Sequence, residues 1–156
     1  MSAGDVAEWI NELHVGTWDE TVGLVMVSAT RDAVRARLEV RPAHRQPLGL
    51  VHGGVLASIV ETMASVGAGI DARASGKYVV GLENHTSFVR AVREGTLEAT
   101  ATPITRGRRS HVWEVAIRSE DGALVATGRV RLLILDAETE VAGAGLAFVR
   151  EPGRDA

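Results

Sequence analysis

From Gly53 to Ile70 the chain reads GGVLASIVETMASVGAGI, and Glu61 is the only charged side chain in it. A membrane-spanning helix needs about 20 strongly apolar residues. This stretch is shorter and rich in small residues, with Ser58, Thr62 and Ser65 interrupting it. It therefore reads as a helix buried in protein. A helix that is apolar on nearly every side has to be covered on nearly every side, so the rest of the chain must supply a wrapper.

Strands can supply it. Leu24 to Ser28 and Ala33 to Val40 read as strands joined by the polar turn Ala29-Thr30-Arg31-Asp32. The second alternates, with Val34, Ala36, Leu38 and Val40 set against Arg35, Arg37 and Glu39. Pro42 to Gly49 is a loop. After the helix, Tyr78 to Val92, Thr96 to Thr105, His111 to Ser119 and Leu124 to Leu135 read as four more strands. The turns between them are marked by Glu94-Gly95, Arg106-Gly107-Arg108 and Glu120-Asp121-Gly122. Asp5 to Leu13 forms a short amphipathic helix with Val6, Trp9, Ile10 and Leu13 on one face. Two strands, one helix and four consecutive strands predict an α+β domain in which a single antiparallel sheet curls around one long central helix. The domain is expected over residues 1–136, with 1–20 as a helical lead-in and 137–156 as a loosely held tail.

The chain has 156 residues, enough for one domain with a full apolar core. It has no cysteine, which excludes a disulfide framework and thiol catalysis and fits a reducing, cytoplasmic setting. Asp5, Glu8 and Glu12 near the start do not resemble a signal peptide. A net charge of −3 argues against a general nucleic-acid or membrane-surface binder. His14, His44, His52, His85 and His111 are scattered without ligand spacing, so no metal site is expected. There is no Gly-x-Ser-x-Gly elbow either, which argues against a serine hydrolase.

The chemistry concentrates where the loop meets the helix. Gln46 to Gly54 (QPLGLVHGG) leads straight into it. The first backbone N–H groups of a helix have no intrahelical partner and form a weakly positive site. Gly53 and Gly54 lack side chains, so a substrate carbonyl can come close to that backbone, and developing oxyanions in acyl transfer need such fixed donors. Glu61 lies about two turns further in, and burying a carboxylate is costly unless it is paired or hydrogen-bonded. Ser65, four residues on, shares its face. Each feature alone has a plain structural reading: a tight turn, a hydrogen-bonded histidine at His52, a glutamate paired at an edge. Together they assemble a donor and a carboxylate within one short span.

Gly49-Leu-Val-His-Gly-Gly54 with Glu61, Asn84-His-Thr-Ser-Phe88 followed by Arg90, then Glu94-Gly95 and Trp113, resemble the hot-dog acyl-CoA thioesterases. The likeness is to the branch containing phenylacetate-pathway thioesterases and the Arthrobacter-type 4-hydroxybenzoyl-CoA thioesterase. It covers roughly Val34 to Leu135. It implies that the Gly53 N–H binds the oxyanion, with Gly54 beside it. Gln46 and His52 would hold the thioester carbonyl end or support the loop. Glu61 would act as nucleophile or general base, and Ser65 would orient water or the carboxylate. Many relatives carry aspartate where this chain has Glu61.

Coenzyme A brings phosphates, which suit arginine forks. Arg106 to Ser110 (RGRRS) offers Arg108, Arg109 and Ser110, and Arg90 follows the third strand; charged turns are otherwise simply solvated. Asn84, His85, Thr86 and Ser87 form a polar run inside a strand; exposure at a sheet edge would explain it without any function, as would lining the acyl channel or facing a second subunit. Ala57, Ser58, Ala64, Ala68 and Gly69 leave room for an acyl group, lined by Val66 and Ile70. The resemblance implies no cofactor beyond the coenzyme A of the substrate. It also implies a homodimer or homotetramer with sites between protomers. The alternatives are an acyl-thioester hydratase or dehydratase, and a non-catalytic acyl-CoA binding protein.

Overall fold

A computed structural model describes residues 4–149. Two short helices, α1 (Ala7–Leu13) and α2 (Trp18–Val22), precede strands β1 (Leu24–Ala29) and β2 (Val34–Glu39). A single 3₁₀ turn at Pro42–His44 leads toward the long helix α3 (Gly53–Arg73). Strands β3 (Tyr78–Phe88), β4 (Thr96–Arg106), β5 (Ser110–Ser119) and β6 (Leu124–Leu135) follow. The six strands make one sheet in the order β1-β2-β4-β5-β6-β3, antiparallel throughout. The chain therefore has the predicted class, one antiparallel sheet around one helix.

Alternation along the strands decides which side chains meet α3. Val34, Ala36 and Leu38, then Leu97, Ala99 and Ala101, then Trp113, Val115 and Ile117, and finally Val130 and Leu132 are all buried. They pack on Leu56, Ile59, Val60, Met63, Ala64 and Ala68 of the helix. Small residues let the sheet come close. The Trp113 indole lies directly on Gly67, where a Cβ would sit within 2.5 Å of its Cη2.

Helix α3 runs three residues beyond the predicted Ile70. Its length and mean hydropathy of 1.4 are those of a membrane span by composition alone, yet one whole face of it is packed on the sheet. The opposite side is less covered than its apolar sequence suggested. Ala57, Glu61, Ser65 and Gly69, spaced four apart, form a half-buried stripe beside β3. The two sheet edges differ accordingly. At β1, Asn11 of α1 pairs with the strand as another strand would, donating to the Met26 carbonyl at 3.0 Å and accepting its N–H at 2.8 Å. At β3, no backbone pairs with the outer edge among the described residues. An open edge of this length is a template for another chain.

Two differences from the sequence reading lie near the ends. Helix α2 was not foreseen, although Thr17 before it and Gly23 after it, with φ +80, are the residue types that start and stop helices. The segment after 136 was expected to be loosely held. Its described part instead makes a small hairpin, β7 (Glu140–Val141) with β8 (Ala144–Gly145), and then docks. The Phe148 ring stands edge-on to Trp9 at 5.7 Å and packs against Tyr78 at 6.1 Å. The Arg73 guanidinium sits 4.6 Å from the Trp9 ring and 5.3 Å from that of Phe148. Residues 150–156 of the expected tail, and 1–3 of the lead-in, lie outside the described residues.

Buried histidines make the fold pH-sensitive. His44 Nδ1 accepts the Arg41 N–H at 3.0 Å, and its Nε2 lies 2.8 Å from the Val22 carbonyl, an arrangement that suits the neutral ring with the proton on Nε2. Burial pushes His44 below the usual histidine pKa, opposed by the Val22 carbonyl and helped by Arg41. Burial likewise lowers His111, opposed by Asp71 and helped by Arg106. A folded-state pKa below the unfolded one means stability that is present above the unfolded pKa and lost as pH falls through the folded value. The melting temperature is therefore expected to fall as the pH is taken below about 6.5, the ordinary histidine value. The lowered carboxylates Asp5, Glu120, Asp121 and Asp136 act only in the more acidic range. Thermal melts across this window check it, and a flat profile would refute it.

Candidate active site

The loop before α3 is held by its own backbone. The Gln46 N–H donates to the Leu50 carbonyl at 2.8 Å, and Gly49 N–H donates back to the Gln46 carbonyl at 2.8 Å. Gly49 has φ +78, a conformation open to glycine. The Gln46 carboxamide oxygen accepts the Leu48 N–H, so it is turned into the loop. Arg93 clamps the same turn from outside, its Nη1 donating to the Leu48 carbonyl at 2.9 Å.

His52 caps the helix. Its backbone N–H donates to the His44 carbonyl at 2.8 Å, and its ring Nδ1 accepts the Gly54 N–H at 2.8 Å. The two glycines therefore differ. The Gly54 donor is taken by the cap, whereas Gly53 N–H has no partner among the described residues. The ring of Phe88, itself 59% exposed, lies over Gly53. A Cβ there would meet its Cε2 and Cζ at 2.8 Å.

Glu61 is half-buried at the β3 edge. Asn84 Nδ2 donates to its Oε2 at 3.0 Å and to the Ala57 carbonyl, also at 3.0 Å. Thr86 Oγ1 donates to Asn84 Oδ1 at 2.6 Å. The other carboxylate oxygen, Oε1, lies against Gly81, where any Cβ would collide with it. A bulge in β3 decides which side chains arrive here. Gly81 pairs with Leu132 and Glu83 with Arg131, which leaves Leu82 as the extra residue. Before the bulge Val79 and Gly81 face the helix; after it Asn84, Thr86 and Phe88 do. His85 goes to the outer face of the sheet with Glu83 and Ser87, opposite Arg129 of β6.

Among the residues chosen from sequence, the fold thus brings Glu61, Asn84 and Thr86 into one connected group, with Gly53 and His52 at the helix start. It does not bring His85 to them. Ser65 follows Glu61 by one turn, but no hydrogen bond links its hydroxyl to the carboxylate among the described residues. Gln46 spends its oxygen on the loop. Ala64 and Ala68 are fully buried beneath the sheet, so they admit the sheet instead of making acyl room. Arg90 pairs with Asp121 at 3.3 Å. In the β4–β5 turn, Arg106 is bound to the Arg31 carbonyl and to Asp32 Oδ1 at 2.9 Å. Arg108 and Arg109 are exposed, with no ion pair among the described residues, and the Ser110 carbonyl closes the turn by accepting the Gly107 N–H at 2.9 Å. This turn lies near the far end of α3: His111, at the start of β5, is 3.7 Å from Asp71 of the last helical turn, and Arg31, whose carbonyl Arg106 holds, pairs with the same Asp71 at 2.8 Å. Gly81, and Gly128 of β6, where a Cβ would crowd the Thr86 hydroxyl at 3.0 Å, are the contributors that the sequence reading does not single out, and Phe88 enters it only as part of the family motif. Glycines inside strands are a readable signal of close approach.

The sequence model of the family described as the thioesterase superfamily matches residues 48–126, which contain the helix, Glu61 and β3. The Mycobacterium tuberculosis protein Rv1847 has a solved structure that is 40% identical, with a TM-score of 0.76 over 78% of this chain and 98% of its own. The thioesterase HI1161 of Haemophilus influenzae superposes with a TM-score of 0.79 at 32% identity, over 83% of this chain and 90% of its own. The proofreading thioesterase EntH of Cronobacter sakazakii is 36% identical over 128 residues, 82% of this chain and 93% of its own length.

Proposed function

This chain belongs to the thioesterase superfamily and is a thioester hydrolase of the hot-dog fold; from that premise we propose that it cleaves an acyl-CoA, aryl or of short to medium chain, to the free acid and coenzyme A. The observation that carries the reading is the Glu61 carboxylate, fixed by Asn84 at the uncovered edge of the central helix. Glu61 removes a proton from the water that attacks the thioester carbon, or attacks that carbon itself to give a mixed anhydride that water then hydrolyses to the free acid. The carbonyl oxygen takes up charge at the Gly53 N–H, the C–S bond breaks, and the thiolate leaves as coenzyme A, taking up the proton that the water gives.

Spacing argues that two chains build each site. Eight residues of helix separate Gly53 from Glu61, about 12 Å along the axis, and the Gly53 N–H points away from the helix body. One chain's donor and its own carboxylate are poorly placed to address a single carbonyl group. A twofold axis beside Ala57, midway between them, would set the Gly53 of each copy against the Glu61 of the other. The unpaired β3 edge and the half-buried stripe on α3 support such a homodimer, and a twofold interface makes two equal sites. Exposed Leu48, Leu82 and Val89 are the apolar surface it would cover. A tetramer of two such dimers is compatible with it. The cytoplasm, where acyl-CoA is made and used, is the setting that suits this substrate.

The test is release of free thiol from a panel of aryl and aliphatic acyl-CoA thioesters. Turnover of at least one member is expected, and no release from any member would overturn the acyl-CoA assignment. Run on the same panel, Arg108→Ala combined with Arg109→Ala is expected to raise KM more than it lowers kcat, as loss of phosphate contacts should. The reverse pattern would remove the turn from the coenzyme A site.

A further inference from the structure

The polar groups around Glu61 form a chain with a defined direction. Thr86 Oγ1 donates to Asn84 Oδ1, and Asn84 Nδ2 donates both to Glu61 Oε2 and to the Ala57 carbonyl. The amide has only one workable orientation. Flipped, its oxygen would face a carboxylate and a carbonyl, two acceptors that give it nothing. The Thr86 hydroxyl, as donor to Oδ1, holds the orientation that serves Glu61. Glycines bracket both ends of the chain. At Gly128, opposite Thr86 on β6, a Cβ would sit 3.0 Å from the Thr86 hydroxyl and 2.6 Å from Val60 Cγ1. At Gly81 a Cβ would displace the Glu61 carboxylate. The Leu82 bulge puts Asn84 and Thr86 on the helix side at all.

We propose that Asn84 and Thr86 are positioning residues that act through Glu61: Thr86 sets the Asn84 amide, and Asn84 holds one carboxylate oxygen so that the acid keeps a single orientation. This rests on the reading of Glu61 as nucleophile or base, and it replaces direct substrate contact as the role of these two residues. Reacting groups gain much of their rate from fixed geometry, and a displacement of about 1 Å can cost about 100-fold.

The test is steady-state thiol release by Asn84→Ala, Thr86→Val and Thr86→Ser, each alone and in a Glu61→Gln background, with thermal melts to confirm folding. Asn84→Ala and Thr86→Val are expected to lose roughly 10- to 100-fold in kcat with little change in KM. Thr86→Ser, which keeps the donor, should recover most of the rate. In the Glu61→Gln background, Thr86→Val should cost nothing further, because residues acting as a unit are not additive. A rise in KM at unchanged kcat would make the pair substrate contacts, and an equal loss in both backgrounds would make Thr86 independent of Glu61; either overturns the proposal. Normal Thr86→Val turnover beside an impaired Glu61→Gln sinks the positioning chain alone. A Glu61→Gln enzyme at wild-type rate sinks the reading of Glu61 and the chain with it.

Discussion

Glu61→Gln will reduce kcat for thioester hydrolysis by roughly 100- to 10,000-fold, the range a positioned base contributes, while the fold stays intact. Glutamine is nearly isosteric, so the loss isolates the charge. Its Oε1 can still accept from Asn84 Nδ2, and the space beside Gly81 accommodates its other end. Nothing in the core contacts depends on the charge, because Glu61 lies on the half-buried stripe beside β3 and outside the buried apolar cluster. The melting temperature should therefore change little. Thiol release over a substrate series, with a melt on the same preparation, separates the two outcomes. A glutamine enzyme that keeps near wild-type kcat would remove Glu61 from the chemistry.

The largest effect on stability is expected at Trp113. Its indole is fully buried on β5 and pressed on the backbone of α3 at Gly67. Trp113→Ala should cost about 3–5 kcal/mol, through lost burial and the cavity left behind. For a chain of this size that is about 2–4 °C in melting temperature per kcal/mol. The Gly67 contact gives a sharper test. In an exposed helix Gly→Ala stabilises by about 1 kcal/mol, but here the new methyl lands on the ring, and overpacking costs about 1–3 kcal/mol. Gly67→Ala should therefore be destabilising on its own. Combined with Trp113→Phe, which withdraws the outer ring atoms that the methyl strikes, it should be neutral or stabilising relative to Trp113→Phe alone. Denaturant unfolding of the four proteins measures that coupling. If Gly67→Ala stabilises the wild-type background, Trp113 does not press on the helix at Gly67.

Much of this architecture was readable because burial imposes periodicity. Helix α3 and strands β2, β4, β5 and β6 bury one regular set of side chains each, and their bounds were found to within a few residues. Glu61 was visible because a charge in such a helix demands a reason. Other features depend on tertiary context. The Asn84 to Ser87 run gave no indication of which members face the helix, since a period of two assigns faces only while it is unbroken, and Leu82 breaks it. The strand was read on to Val92, but it stops at Phe88, where the N–H groups of Val89 and Arg90 both turn to the Val125 carbonyl. Gly53 and Gly54 looked equivalent until His52 took the donor of one. Docking of Phe148 was invisible because a lone aromatic in a small-residue segment has no pattern.

That docking also sets how the chain tolerates alteration. Trp9 and Phe148 meet through their rings at 5.7 Å, so the two described ends of the polypeptide come together at the Arg73 end of α3. The start of the same helix, with Gly53, lies its full length away, about 30 Å for 21 residues. A group attached at Trp9 or Phe148 would thus sit clear of that chain's own Gly53. With a short linker bridging the backbone beside Trp9 to that beside Phe148, the exposed Glu120–Gly122 turn could be opened to create new termini without cutting any strand of the sheet.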